Sequence, residues 1–325
     1  MKPLTFSVLR HLNDGEFHSG EAIARQLGTT RASVSNALAG LDEMGLVVHK
    51  VHGRGYRLPD PIHWLEINKI APHLSRAAKN LRLKIVDTTT STNDQLLQGA
   101  SRDTPGGSVV VAEYQSAGRG RRGREWHSGL GGALTFSLLW RFDRGVADLS
   151  GLSLAVSIAV VRALSDLGIA GVTLKWPNDV LFEHRKLAGI LIESQGDVLG
   201  PTLAVIGIGV NLKLAESVRT HIDQGATDVF SITPELPERN KLLAVLLSEL
   251  VAVLTEFERE GFGGFRKDWS RYHAFENKPV TLRLSSGISV RGVVCGIADD
   301  GALLLQTAEG NQRFSSGEIS LVRHL

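Results

Sequence analysis

The period of the apolar positions changes twice along the chain, and each change marks a different kind of element. Leu4–Leu12 is a short amphipathic run, after which Ser19 stands where an N-cap would precede a helix over Glu21–Leu27, with Gly28 as its stop. Thr29 or Thr30 opens a second helix in which Val34, Leu38 and Leu41 recur at helical spacing, running to Met44 and the stop Gly45. Helix, tight glycine turn and helix predict a helix-turn-helix. Leu46–Val51 and Tyr56–Leu58 then flank His52-Gly53-Arg54-Gly55 as a β wing, and Pro59-Asp60-Pro61 breaks the chain at a domain boundary.

Over residues 62–275 strands and helices mix. Ser108–Glu113, Ala133–Arg141, Val172–Trp176, Lys186–Glu193 and Leu203–Val210 are apolar or alternating runs bounded by glycine, aspartate or proline, and read as strands. Leu149–Leu167, stopped by Gly168, and Glu238–Glu260 carry apolar residues at i, i+3 and i+4 and read as helices. The order is not a steady β-α alternation, which favours an α+β sheet with helices on one side. From 276 the texture becomes five short strand-like runs (Val280–Leu284, Ser289–Ile297, Ala302–Gln306, Gln312–Ser315, Ile319–Val322) separated by turn dipeptides, a small all-β barrel. The expected organisation is therefore α+β overall: a winged helix-turn-helix domain at 1–60, a mixed α/β catalytic domain at 62–275 and a small β-barrel domain at 276–325.

Composition narrows this little. A length of 325 residues suits two or three domains, and 42% hydrophobic with 22% charged residues is ordinary for a globular protein with a real core. The net charge of +2 excludes a global polycation, so any basic surface is local. A single cysteine, Cys295, excludes a disulfide framework and a cysteine metal cluster. Arg10, Asp14 and Glu16 arrive before any apolar run, unlike a signal peptide. The longest uncharged stretches, Trp126–Trp140 and Val198–Leu212, have 15 residues each, against the roughly 20 a membrane span needs. A cytoplasmic protein without a membrane partner is expected.

The chemistry gathers in Gly118-Arg119-Gly120-Arg121-Arg122-Gly123-Arg124, four arginines among three glycines. Guanidinium forks match phosphate and carboxylate, and glycines let backbone N–H groups approach an anion. The segment also satisfies G-x-G-x-x-G, but a dinucleotide fold needs a helix opening at the glycines, and here Trp126, more glycines and an alternating strand follow. A solvated basic loop or RNA-binding patch stays open on this motif alone. Ser91-Thr92-Asn93 offers hydroxyls and an amide for a small polar head group, or simply a helix cap. Lys175-Trp176-Pro177-Asn178-Asp179 puts charges and an amide at a strand end, and Lys186-Leu187-Ala188-Gly189-Ile190 follows closely. In Gly207-Ile208-Gly209-Val210-Asn211 the glycines leave room for a ligand or a neighbouring backbone.

Together Ser91-Thr92-Asn93, the run Gln115–Arg124, Lys175–Asp179 and Lys186–Ile190 closely resemble the biotin–protein ligases in order and spacing, and the likeness runs through essentially the whole chain. The helix-turn-helix makes it similar to the bifunctional subclass that also represses the biotin operon. The resemblance implies that biotin carboxylate attacks the ATP α-phosphate to give biotinyl-5′-adenylate and pyrophosphate. A lysine of a biotin carboxyl carrier protein, an acetyl-CoA carboxylase subunit, then displaces AMP. Positive charge where two anions meet suits that step. On this resemblance Ser91, Thr92, Asn93, Gln115, Gly118, Arg119, Gly120, Arg121, Lys186, Gly189, Gly207 and Gly209 bind biotin. Arg119, Arg121, Lys175, Asn178, Lys186 and Asn211 bind ATP or the adenylate. Lys186, Arg121 and Asp179 are the catalytic candidates, Asp179 to orient or deprotonate the incoming amine, which must be neutral to attack. Magnesium should accompany ATP, with no protein metal ligand assigned.

The same resemblance makes the helix Thr30–Met44 a recognition helix for operator DNA, with Ser19, Gly20, Thr30, Arg31, Ser33, Asn36, Lys50 and Arg54 as DNA-facing candidates and a homodimer on two half-sites. Residues 1–59 hold seven Lys/Arg and five Asp/Glu, so the surplus is small, and a helix-turn-helix used for protein contact stays open. The stretch Asp223–Phe230 corresponds to an adenine-side loop that often holds an aromatic, where this chain has Ala226. Two rival functions are a lipoate–protein ligase and a biotin-sensing transcription factor without catalysis. The arginine loop and Lys175–Asp179 favour biotin over lipoate, and Lys186 with the full loop favours chemistry over sensing.

Overall fold

The computed structural model describes residues 3–101, 104–196, 200–222, 225–233 and 235–322. The first module contains α1 (Pro3–His11), α2 (Gly20–Gln26) and α3 (Arg31–Ala37), followed by the wing strands β1 (His49–Val51) and β2 (Gly55–Arg57). Ser19 caps α2 by accepting from the Ala22 amide, and Thr30 caps α3 by accepting from Ser33. The second helix is shorter than its apolar spacing predicts. It ends at Ala37, because Gly40 takes a left-handed φ of +76° and the chain re-enters helical geometry only as a 3-10 turn at Asp42–Met44. The wing is trimmed in the same way, to three residues per strand.

The central region runs α4 (Ile67–Ile70), β3 (Arg82–Thr89), α5 (Thr92–Gly99), β4 (Ser108–Gln115), β5 (Gly118–Arg119), β6 (Glu125–Trp126), β7 (Ala133–Phe142), α6 (Leu152–Asp166), β8 (Val172–Lys175), β9 (Asp179–Phe182), β10 (Arg185–Gly196), β11 (Thr202–Asn211), α7 (Glu216–Arg219), α8 (Arg239–Glu260) and α9 (Arg266–Tyr272). Seven strands form one sheet in the order β3-β4-β7-β11-β10-β9-β8. Only β3 and β4 are parallel, and α5 makes the crossover that a parallel pair requires.

Alternation along the central strands sends one set of side chains to each face. Leu134, Phe136 and Leu138 of β7 and Ala204, Ile206 and Ile208 of β11 join α6 and α8 in the main core. Leu139, Leu203 and Val205 point the other way and pack with Leu96 of α5. The expectation of helices on one side is thus corrected: the long helices share a face, and short α5 lies on the other, beside the site. Val146–Asp166 is long and apolar enough to cross a bilayer, but α6 within it is packed into the main core.

The C-terminal strands are β12 (Pro279–Arg283), β13 (Ser289–Ile297), β14 (Leu303–Thr307), β15 (Gly310–Phe314) and β16 (Glu318–Leu321), an antiparallel sheet in the order β15-β14-β13-β12-β16. All five expected strands form. Among the described residues the outer strands β15 and β16 do not pair with each other, so hydrogen bonding leaves the barrel open. Val280, Leu282, Val294 and Leu305 join the main core, whereas a second core, centred on Phe6, Leu9, Ile23 and Val34, joins the N-terminal module to Ile62 and Leu130 of the central region. Within the central region, buried Arg239 at the start of α8 pairs with Glu113 of β4 at 2.9 Å and donates to the His63 carbonyl.

Candidate active site

The arginine loop is the turn of the two-residue hairpin β5–β6, with Gly118 opposite Trp126 and Arg119 opposite Glu125. A Cβ on Gly118 would lie 2.5 Å from the Trp126 carbonyl, so only glycine fits there. Arg122 (φ 57°) and Gly123 (φ 74°) both take left-handed conformations, and the Gly120 amide closes the turn on the Arg124 carbonyl at 2.7 Å. This tightness splays the four guanidinium groups apart. Arg119 is held by Asp94 at 2.5 Å and Glu193 at 2.6 Å. Arg121 donates to Asn178 Oδ1 at 3.3 Å. Arg122 reaches Ser285, and Arg124 pairs with Glu318 of β16.

Beneath the loop lies a narrow slot on the α5 face of the sheet. Ser91 caps α5, so Thr92 and Asn93 enter the first turn with their side chains buried against β7 and β11. Gln115 Oε1 accepts from the Thr92 amide at 2.8 Å, and Ser137 Oγ lies 2.6 Å from Thr92 Oγ1 while donating to Asn93 Oδ1 at 2.5 Å. The glycines of β11 make this possible. A Cβ on Gly207 would fall 2.2 Å from Asn93 Oδ1, and one on Gly209 2.4 Å from the Trp126 ring. Trp126 therefore lies flat on the strand, its buried Nε1 without a partner among the described residues.

Lys186 reaches this face through a defect in the strand. Strict alternation would place Lys186 with Ala188 and Ile190, on the helix side. The pairing of β10 with β9 slips between Lys186 and Ala188, so Leu187 and Ala188 both enter the main core and Lys186 turns toward Gly189 and Trp126. Its Nζ lies 2.7 Å from Asp179 Oδ1, while Lys175 Nζ lies 3.3 Å from Oδ2. Burial alone would raise the Asp179 pKa, but the two lysines outweigh it and hold the carboxyl below its ordinary value. With an ammonium against each oxygen, the geometry of this carboxylate suits positioning the two lysines; from the sequence it was expected to orient or deprotonate the incoming amine. Arg121 is shifted downward, first by burial and then by Arg122.

Ser91, Thr92, Asn93, Gln115, Arg119, Gly120, Arg121, Lys186, Gly189, Gly207 and Gly209 all line the slot. Lys175, Asn178, Asp179, Asn211, Arg121 and Lys186 line an adjoining chamber of about 830 Å³. Arg121, Asn178 and Lys186 border both. Two expected residues sit elsewhere. Gly118 backs onto Trp126 beside a neighbouring groove and does not line the slot, and Arg119, spent on two carboxylates, does not line the chamber. Asn211 donates to the Thr227 carbonyl at 3.0 Å, and its buried Oδ1 has no partner among the described residues. Asp223 and Gln224 of the adenine-side loop lie outside the described residues. Ala226 lines the chamber and its neighbours bracket Lys186, the Lys186 amide donating to Gly225 and the Thr227 amide to Lys186.

Sequence reasoning missed Trp126 as a site residue, although an aromatic two positions past an arginine loop is a visible signal. It also missed Ser137, whose polarity within an apolar strand was the available clue, and the carboxylates Asp94 and Glu193; Glu318 lies in the C-terminal strands that the resemblance makes a cap helping ATP or carrier binding. In the N-terminal module, Ser19 and Thr30 are used as caps, and Gly20 is buried against Tyr56 and Arg31. Arg31, Asn36, Lys50 and Arg54 are exposed and Ser33 half-buried. No group of three or more metal-ligating side chains occurs among the described residues. Of the carboxylates lining the chamber, Asp179 and Glu318 are engaged by cations, and Glu125 lies 3.6 Å from His127.

Residues 85–211 match the biotin/lipoate A/B protein ligase family, 276–322 the biotin protein ligase C-terminal domain and 5–57 an HTH domain. The bifunctional ligase/repressor BirA of Escherichia coli K12 is 38% identical over 310 residues, covering 95% of this chain and 94% of that one. BirA of Bacillus subtilis 168 is 30% identical over 307 residues, covering 94% of each. Among solved structures, biotin protein ligase from Aquifex aeolicus in complex with biotin and ATP superposes with a TM-score of 0.63 at 28% identity, covering 75% of this chain and 99% of that one.

Proposed function

The chain belongs to the family of bifunctional biotin ligase/repressors, and from that premise we propose how its residues divide the work. It activates biotin with ATP to biotinyl-5′-AMP and transfers the biotin to a lysine of a carboxyl carrier protein. The observation that carries the site assignment is that slot and chamber meet at Lys186, Arg121 and Asn178. Two anions that repel in water are brought together at that junction by fixed positive charge.

Biotin occupies the slot, its head group against Ser91, Thr92, Asn93 and Gln115 and its ring over Gly189, Gly207 and Gly209. The nucleotide occupies the chamber with Lys175, Asn178 and Asn211, and magnesium arrives on its phosphates. The carboxylate oxygen attacks the α-phosphorus, the bond to the β-phosphate oxygen breaks, and pyrophosphate leaves with the electron pair. Lys186 and Arg121 face both partners of that step, and Asp179 holds Lys186 and Lys175 in register. Arg119, tied to Asp94 and Glu193, closes the biotin end of the lid. In transfer, the carrier amine attacks the acyl carbon and AMP leaves.

The division into 1–60, 62–275 and 276–325 follows the same reading, with the first module binding operator DNA as a dimer in the cytoplasm. Incubation with ATP, magnesium, biotin and a carrier domain, followed by an avidin blot, tests the ligase. Absence of label, or equal pyrophosphate exchange with lipoate, would overturn it.

A further inference from the structure

The cations around the chamber are unequally compensated. Lys175 and Lys186 share Asp179, and Arg124 is matched by Glu318. Among the described residues Arg121 has one hydrogen-bond partner, the Asn178 amide oxygen. Arg283, at the end of β12, has no side-chain hydrogen bond or ion pair among the described residues. Yet it lies directly opposite Glu318 in the β12–β16 register. Cross-strand opposite charges ordinarily pair; here the Glu318 carboxylate is drawn away to Arg124, which leaves the Arg283 guanidinium exposed on the chamber wall. Ser320, two residues beyond Glu318 and on the same side of β16, lines that wall too.

We propose that Arg283 binds the β- and γ-phosphates of ATP, so that the C-terminal sheet holds the pyrophosphate leaving group. This rests on the ligase reading. With the α-phosphate at Lys186, where slot and chamber meet, the remaining phosphates extend away from the slot, across the chamber and toward the C-terminal wall. When the α-phosphorus to oxygen bond breaks, the electron pair and its charge pass to pyrophosphate. A guanidinium fork without a protein counter-ion is suited to receive them. Glu318 acts through Arg124 as a positioning residue, holding the lid against the same wall.

The two half-reactions separate this role from a structural one, because biotinyl-5′-AMP carries no β- or γ-phosphate. In Arg283→Ala the KM for ATP in pyrophosphate exchange should rise on the order of ten-fold, with inhibition by added pyrophosphate weakened to match. The loss should be confined to that half-reaction, with transfer from supplied biotinyl-5′-AMP to the carrier and the KM for biotin staying at wild-type values. Arg283→Lys, which keeps charge without the fork, should fall between. Unchanged dependence on ATP would overturn the assignment. So would equal losses in both half-reactions, which would mark a role in folding. A wild-type protein inactive in both would remove the ligase reading, and this assignment with it.

Discussion

Asp179 shows how one buried carboxylate sets the behaviour of a site. Its pKa is depressed by Lys186 and Lys175 in spite of burial. A carboxylate with a folded pKa below its unfolded one contributes stability that is complete above about pH 4 and fades as pH falls through the depressed value. The wild-type enzyme should therefore show no acid limb from Asp179 near neutrality. Asp179→Asn keeps the shape but leaves two ammonium groups without a counter-charge, so adenylate formation should fall about ten-fold. An unchanged rate would argue that the carboxylate does not hold the lysines. Lys186→Ala should lower adenylate formation at least ~10-fold, the scale of one charge-assisted interaction lost from the transition state. Near-normal pyrophosphate release would remove Lys186 from the chemistry. That this lysine is a candidate for the chemistry was legible only from its neighbours in sequence; a lysine opening an apolar strand is otherwise an ordinary exposed end.

Strand β11 links element and site. Its alternation is regular, so Ile206 and Ile208 enter the main core while Gly207 and Gly209 face the slot. Gly209→Ala would place a methyl 2.4 Å from the Trp126 ring. The flat aromatic must shift, because strand and ring cannot both hold their places. The KM for biotin should rise several-fold, on the order of 1 kcal/mol of misfit, with the melting temperature little altered because the slot face lies outside the main core. A normal KM would mean that Trp126 does not shape the slot. The strands and long helices were legible because period-2 and period-3.6 burial write themselves into the sequence. Helix α3 was overestimated because apolar spacing continued through Leu41 and Met44, while the left-handed turn at Gly40 decided where the helix stopped.

The molecule as a whole joins an N-terminal module, whose core takes in Ile62 and Leu130 of the central region, to a catalytic unit whose main core is shared with the C-terminal sheet. Operator affinity should come mostly from phosphate contacts by exposed Arg31, Lys50 and Arg54, since Arg57 is turned inward onto the Gly15 carbonyl. Binding of the dimer should then fall linearly on a log–log plot against salt, with a slope of roughly −5 for about six phosphates, three from each protomer. A salt-insensitive interaction, measured by titrating labelled operator at several ionic strengths, would assign the module to protein contact instead. Some of this order was visible beforehand: the breaks at Pro59–Pro61 and near 276 coincide with changes of texture.

What the sequence determined by itself was mostly local: caps, most turns, periodicity, the arginine loop, and the family to which these motifs belong together. What only the tertiary structure decided was where each charge points. The slip in β10 turns Lys186 from the helix side to the site, Asp94 and Glu193 claim Arg119, and Glu318 claims Arg124 so that Arg283 is left facing the chamber. The partners in these pairs lie tens to hundreds of residues apart. Coulomb attraction and burial select them in space, and no short window of sequence carries that information.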